Sequence, residues 1–222
     1  NSDAVVAPFG ARARFFGTNP LAISFPAEDG FVPTLDMATS AAAFGKVLIA
    51  QADGRPLPAG WAIDAQGRPT TDPHAATAGA LLPFGGPKGS GLAFAIELLC
   101  GVLLGGAVSD AIPPLWAAPD RPQGLGHCFL AIDPAALGGE ADRPQAISAY
   151  ARRLMALEPA SGAESVLAPG YLEWQREERY RTQGVPIAGE TYDALQGALH
   201  ETGCAPLPTG ALVERLNEQP EE

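Results

Sequence analysis

An α/β fold is predicted by two features of the sequence. Short runs rich in branched and aromatic residues, bounded by Gly, Pro or Asp, alternate with longer segments of helical character. One of those helical segments, Leu92 to Leu104, is apolar on nearly every face and is expected to be buried.

The chain opens "NSDAVVAPFG" and runs at once into the apolar stretch Ala4 to Ala7, which reads as a domain entered in its middle or as a mature chain whose first strand begins early. Strands are expected at Leu21 to Phe25, Phe31 to Leu35, Trp61 to Asp64 and Cys128 to Asp133. Thr39 to Ala50 is Ala-rich enough for a helix despite Gly45, and Ser90 is an N-cap for the run from Leu92. Ile147 to Leu157, Tyr171 to Gln183 and Glu190 to Thr202 carry helical spacing, the last two stopping at Gly184 and Gly203, with Leu195 and Leu199 on one face. Residues 205–222 contain several Pro and Glu and read as a loosely ordered tail on a body formed by residues 1–204.

Composition narrows the function. With 46% hydrophobic and 18% charged residues, 222 residues can bury one sizeable core. Fourteen Lys and Arg against 25 Asp and Glu give a net charge of -11, with no dense basic cluster, so nucleic acid is not an expected partner. The longest apolar stretch, Leu92 to Val108, is broken by Glu97 and glycines, and no signal-peptide pattern is present, so the expectation is a cytoplasmic protein without a membrane partner. Cys100, Cys128 and Cys204 are widely separated and flanked by apolar residues, as reduced, buried thiols would be.

Two glycine-containing stretches invite a chemical reading. In "LPFGGPKGSG", Gly85, Gly86, Gly89 and Gly91 clear space around Lys88 at the start of a helix, where a cation and unpaired N–H groups would meet an anion such as a phosphate. The same residues could equally form a Gly-rich turn with a solvated lysine. Neither the phosphate-loop pattern nor G-x-G-x-x-G is present. In "LDMATSAAAFGK", Asp36, Thr39 and Ser40 stand at a strand end leading into a helix, a usual ligand position in α/β proteins, although Asp36 or Ser40 could simply cap that helix. Lys46 has no acidic neighbour within helical reach, and it could be a plain surface lysine. His74, His127 and His200 lie outside any nucleophile or metal-ligand spacing, and neither a Ser-centred elbow nor paired Cys motif appears; no metal is expected.

Taken in order, "NSDAVVAPFG", "FGTNPLAISFP", "DMATSAAAFGKV", "WAIDAQGRPTTDP", "LLPFGGPKGSGLAFAIELLCGVLLGG", "GLGHCFLAIDP" and "APGYLE" resemble the malate/L-lactate dehydrogenase family whose fold is not of the Rossmann type, over residues 1 to about 190. Ureidoglycolate and sulfolactate dehydrogenases and the piperideine/pyrroline-2-carboxylate reductases share that family. The resemblance implies a non-Rossmann α/β fold with a mixed sheet and flanking helices, and an NAD- or NADP-dependent enzyme moving a hydride between nicotinamide and a 2-oxo or 2-hydroxy acid. A cyclic imine carboxylate is the alternative substrate, and a nucleotide-binding protein without catalysis is the rival of a different class.

By the same resemblance, Ser2, Asp36, Met37, Ala38, Pro87 and Lys88 contact the cofactor and Thr18 contacts the substrate. Gly170, Tyr171 and Leu172 close over the nucleotide, although "PGYLE" departs from the family's more usual acidic "PGE". Lys46 matches an active-site position that is Lys in many hydroxyacid enzymes and Asp in the imine reductases. Hydride delivery to a ketone builds negative charge on oxygen, which an acid must meet. The family's acid is a histidine on an N-terminal "SHG"-type segment without counterpart in these residues, so a further N-terminal segment or chain is expected, together with a homodimer.

Overall fold

The computed structural model describes residues 1–115, 117–137 and 143–207. It resolves into two compact units, Asn1–Tyr171 and Leu172–Glu222.

The first unit is built on two small antiparallel sheets. β1 (Leu21–Ser24) pairs with β2 (Thr34–Met37), Leu21 facing Met37 and Ser24 facing Thr34. The second sheet is ordered β4-β3-β5, from β3 (Ala62–Ile63), β4 (Pro69–Thr70) and β5 (Ala80–Leu81). The β3–β4 turn is set by chemistry rather than by bulk. Asp64 Oδ1 accepts the backbone N–H groups of Gln66 and Arg68, both at 2.9 Å, and Gly67 takes a φ of 82°. Val6 then bridges to Phe16 and, in parallel, to Leu81, so the opening apolar stretch joins the sheet.

Helices close this core. α1 (Phe44–Ala52) buries Val47 and Ala50, and α2 (Pro73–Ala78) starts on Asp72, whose carboxylate accepts the N–H of His74, with Pro73 in the first turn. α3 (Pro87–Cys100) contributes Ala93 to the cluster around Val6, Phe16, Val47 and Leu81. α4 (Arg143–Met155) is fastened to the β1–β2 connection, Ser148 Oγ accepting the N–H of Glu28 at 3.0 Å and Arg152 pairing with Asp29.

Several sequence expectations need correction. The helix expected from Thr39 begins only at Phe44, because Thr39 to Ala41 continue as extended chain along Leu82–Phe84. α3 begins at Pro87 on a Gly86 N-cap and ends at Cys100, so Ser90 lies inside it, where its Oγ accepts the N–H of Phe9 at 3.0 Å. Nor is α3 buried all round: Phe94 is 51% and Leu99 47% exposed. Pro87–Leu104 is the one stretch, among the described residues, long and apolar enough to cross a membrane. Here it breaks at Gly101 into a short 3₁₀ turn, Val102–Leu104.

No strand forms over Cys128 to Asp133, where Phe129 is 93% exposed. A strand is defined by its ladder, and no described residue pairs with this one. Cys100 is buried as expected, but Cys128 rides on that unpaired segment and Cys204 follows the last described helix, and both are exposed.

In the second unit α5, whose full span is Tyr171–Gln183, and α6 (Gly189–Glu201) stop at Gly184 and Gly203, with φ of 84° and 69°. The Gln196 carboxamide clasps the backbone of Leu207 through two hydrogen bonds of 3.1 Å, so the start of the expected tail is held; residues 208–222 of it lie outside the described residues.

Candidate active site

The Gly-Thr-Asn-Pro turn is the centre from which the site grows. Asn19 adopts a φ of 38°, a left-handed conformation that asparagine tolerates better than most residues, and it is fully buried. Its carboxamide makes three hydrogen bonds. Oδ1 accepts the N–H of Ser2 at 3.2 Å, while Nδ2 donates to the Ala93 carbonyl at 3.1 Å and to Glu97 Oε2 at 2.6 Å. Pro20 follows, fixing the exit into β1.

Ser2 and Thr18 are thereby brought together. Thr18 donates its N–H to Ser2 Oγ at 3.0 Å, and the two hydroxyl oxygens lie 3.5 Å apart. Gly17 is required for this approach, since a Cβ there would stand 2.3 Å from Ser2 Oγ and 2.4 Å from the Ser2 carbonyl oxygen.

Thr39 connects this pair to the lysine turn. Its N–H donates to the Thr18 carbonyl at 2.8 Å, its hydroxyl to the same carbonyl at 2.9 Å, and its own carbonyl accepts the N–H of Phe84 at 3.1 Å. Phe84 opens the Gly85-Gly86-Pro87-Lys88 turn, where both glycines take positive φ. A Cβ on Gly89 would stand 2.1 Å from the Phe84 carbonyl oxygen, so the turn closes tightly on the start of α3.

The electrostatics of that helix start differ from the sequence expectation. Pro87 has no N–H, and the N–H groups of Lys88 and Gly89 bond back to the carbonyls of Gly85 and Phe84 at 3.4 and 3.1 Å. Attraction for an anion therefore rests on the exposed Lys88 ammonium and the helix dipole rather than on free N–H groups.

The remaining predicted residues fall into two groups. Asp36 and Met37 lie on β2, opposite Ala22 and Leu21, with Ala38 next in line before buried Thr39. Neither Asp36 nor Ser40 caps α1: its N-cap is Ala43, and Ser40 Oγ donates to the Ala42 carbonyl at 2.7 Å. Gly170, at a φ of 83°, packs on the same strand, where Thr34 donates its N–H to the Pro169 carbonyl at 3.0 Å, and the Tyr171 ring meets Phe31 edge-on at 5.1 Å. Leu172 belongs to the second unit. Lys46 is exposed in the first turn of α1, and no hydrogen bond or ion pair joins it to Thr18. Among the described residues there is no cluster of His, Cys, Asp and Glu fit to hold a metal. Clefts of about 470 and 450 Å³ open along α5 and beside Arg55 and His74, and none of the predicted residues lines either.

Sequence reasoning missed Asn19, Glu97 and Gly17. One signal was available: Glu97 is the lone charge in the apolar run from Leu92 to Val108, and a lone acid on a core helix asks for a partner.

Comparison with known proteins shows the family. The profile of the malate/L-lactate dehydrogenase family matches residues 1–196. Ureidoglycolate dehydrogenase (NAD(+)) of Escherichia coli (strain K12) is 37% identical over 206 residues, 90% of this chain and 58% of that protein. Delta(1)-pyrroline-2-carboxylate reductase of Ancylobacter novellus is 40% identical over 191 residues, 86% of this chain and 55% of that protein. Among solved structures, sulfolactate dehydrogenase from Methanocaldococcus jannaschii superposes with a TM-score of 0.79 at 37% identity, covering 92% of this chain and 58% of that one. The chain thus spans a little over half the length of the curated relatives it matches.

Proposed function

The chain belongs to the malate/L-lactate dehydrogenase family, and from that premise we propose that it carries the nucleotide cradle and part of the acid pocket of an NAD- or NADP-dependent oxidoreductase acting on 2-oxo or 2-hydroxy acids. One observation carries the reading: an unbroken run of hydrogen bonds from Ser2 through Thr18 and Thr39 to Phe84, which ties the cofactor and substrate residues implied by the resemblance to the Lys88 turn.

A bound nicotinamide supplies the hydride. Lys88 would hold a phosphate of the dinucleotide, with Ser2, Asp36, Met37, Ala38 and Pro87 against its other parts and Gly170 and Tyr171 closing over it. The Thr18 hydroxyl, held beside Ser2, donates to the substrate oxygen or carboxylate. Lys46 favours an anionic acid over a substrate that becomes cationic on protonation, which ranks 2-oxo acids above the cyclic imines named for the pyrroline relative. The proton donor in this reading is a histidine from an "SHG"-type segment or chain outside residues 1–222. A homodimer follows the family resemblance, and a cytoplasmic setting fits the three free thiols.

The test titrates the 222-residue chain with NADH and NADPH, then adds pyruvate, oxaloacetate and piperideine-2-carboxylate. Saturable nucleotide binding without turnover is expected. Robust reduction of an acid by this chain alone would contradict the assignment of the proton donor, and absence of nucleotide binding would contradict the cradle.

A further inference from the structure

Glu97 is 4% exposed, and no lysine or arginine among the described residues pairs with it. A buried carboxyl group without a cation must be satisfied by hydrogen bonds, and here each oxygen takes one N–H. Oε2 accepts from Asn19 Nδ2 at 2.6 Å, and Oε1 from the Ser109 backbone N–H at 2.7 Å. Asn19 and Ser109 are also the two non-glycine residues with positive φ among the described residues, at 38° and 53°. One side chain on α3 therefore clasps both non-glycine points, among the described residues, where the backbone is held at positive φ.

The consequence lies at the far side of Asn19. With Nδ2 committed to Glu97 and Ala93, the carboxamide has one orientation, and Oδ1 is aimed at the Ser2 N–H. Ser2 in turn presents Oγ to the Thr18 N–H. We propose that Glu97 is a positioning residue: acting through Asn19, it fixes the spacing of the Ser2 and Thr18 hydroxyls on which nucleotide and acid binding depend. The spacing is a geometric claim, and its bearing on ligands rests on the function proposed above.

Glu97→Met keeps the length of the side chain and removes both acceptors, so neither Asn19 Nδ2 nor the Ser109 N–H keeps its carboxylate partner on α3. Amide hydrogen exchange on the 222-residue chain should then quicken about ten- to hundredfold at Ser2 and Thr18, the effect of losing one strong hydrogen bond. The Leu81 amide, bonded to the Val5 carbonyl in the core, should change less than about twofold. Asn19→Gly is the second variant. Glycine accepts the φ of 38° freely but carries no clasp, so the same exchange signature is expected even if the Met variant folds poorly.

NADH affinity supplies a readout that general loosening would not mimic. It should fall in Glu97→Met but fall no further when that change is added to Ser2→Ala, because Glu97 acts through Ser2. Additive losses, or wild-type exchange at Ser2 and Thr18 in both variants, would overturn the proposal. A wild-type chain that binds no NADH would instead remove the proposed function, while the exchange pattern would still decide whether Glu97 sets the geometry.

Discussion

Two segments of the first unit contain the same tripeptide and end differently. Leu21-Ala22-Ile23 lies in "FGTNPLAISFP" and Leu130-Ala131-Ile132 in "GLGHCFLAIDP", each behind a glycine-containing approach and ahead of a proline. The first becomes β1, paired residue for residue with β2. The second pairs with nothing among the described residues, leaving Leu130 82% and Ile132 63% exposed. Local preference is thus nearly constant while structure is not, and what differs is a ladder partner. The paired copy is also the one that leads out of the Thr18 turn, so the Ser2–Thr18–Thr39 cluster adjoins a strand whose ladder is formed among the described residues.

Substitutions can press on that contrast. The largest effect is expected from Gly17→Ala, whose Cβ would meet Ser2 Oγ at 2.3 Å and the rigid Ser2 carbonyl oxygen at 2.4 Å. Overpacking of this kind costs about 3 kcal/mol, a fall in Tm of roughly 6–12 °C for a chain of this size, readable by calorimetry. A Tm within about 1 °C of wild type would mean the Ser2 contact yields easily.

Lys46→Asp comes next. In any form of the protein that turns over, it should lower kcat/KM for pyruvate and oxaloacetate about ten- to hundredfold and favour piperideine-2-carboxylate, since in the proposed site a cation beside a developing anion would become an anion. A wild type already faster on the imine would reverse the assignment of Lys46.

Leu130→Ser probes the unpaired copy. In the 222-residue chain its stability should stay within about 0.5 kcal/mol of wild type by urea unfolding, as for an exposed site. A larger loss would show that the segment has a partner after all.

The smallest effect concerns Asp64. The hydrogen bond from the Arg68 backbone N–H holds its carboxyl below the ordinary value of 3.8, and further bonds from Arg68 and Gln66 act in the same direction. A depressed folded value stabilises the fold above the unfolded value, and that contribution is lost as pH falls below 3.8 and through the folded value. Asp64→Asn should therefore unfold slightly more easily near neutrality and converge with wild type in strong acid; a constant gap across that range would contradict the titration.

The sequence was most legible where a segment carries its own punctuation. Tyr171 to Gln183 is helical over its whole expected length because Gly184 ends it locally, and β1 appears where its branched residues and flanking prolines put it. Reading failed where structure depends on distant residues. The Asn19–Glu97 bond joins positions 78 residues apart, and neither residue type announces the other. The start of α3 was misplaced because Pro87 and Gly86 are as good a beginning as Ser90, and the choice fell to Phe9, which takes the serine hydroxyl for its own N–H. Ser2, Thr18 and Lys88 are candidates through the motifs that carry the family resemblance, whereas their connection through Thr39 and Phe84 emerges only in three dimensions.

In the proposed cradle the Lys88 turn, fastened to Ser2 and Thr18, would hold a dinucleotide. Fluorescence titration of the wild-type chain and Lys88→Ala with NADH and NADPH tests it most directly. Losing one charge-assisted contact, worth about 1.5–3 kcal/mol, should weaken binding roughly ten- to hundredfold while circular dichroism and Tm stay unchanged. With a net charge of -11 the chain has little general attraction for an anion, so binding must depend on local contacts. Equal affinity of both proteins for both nucleotides would show Lys88 to be a solvated turn residue and would contradict the account.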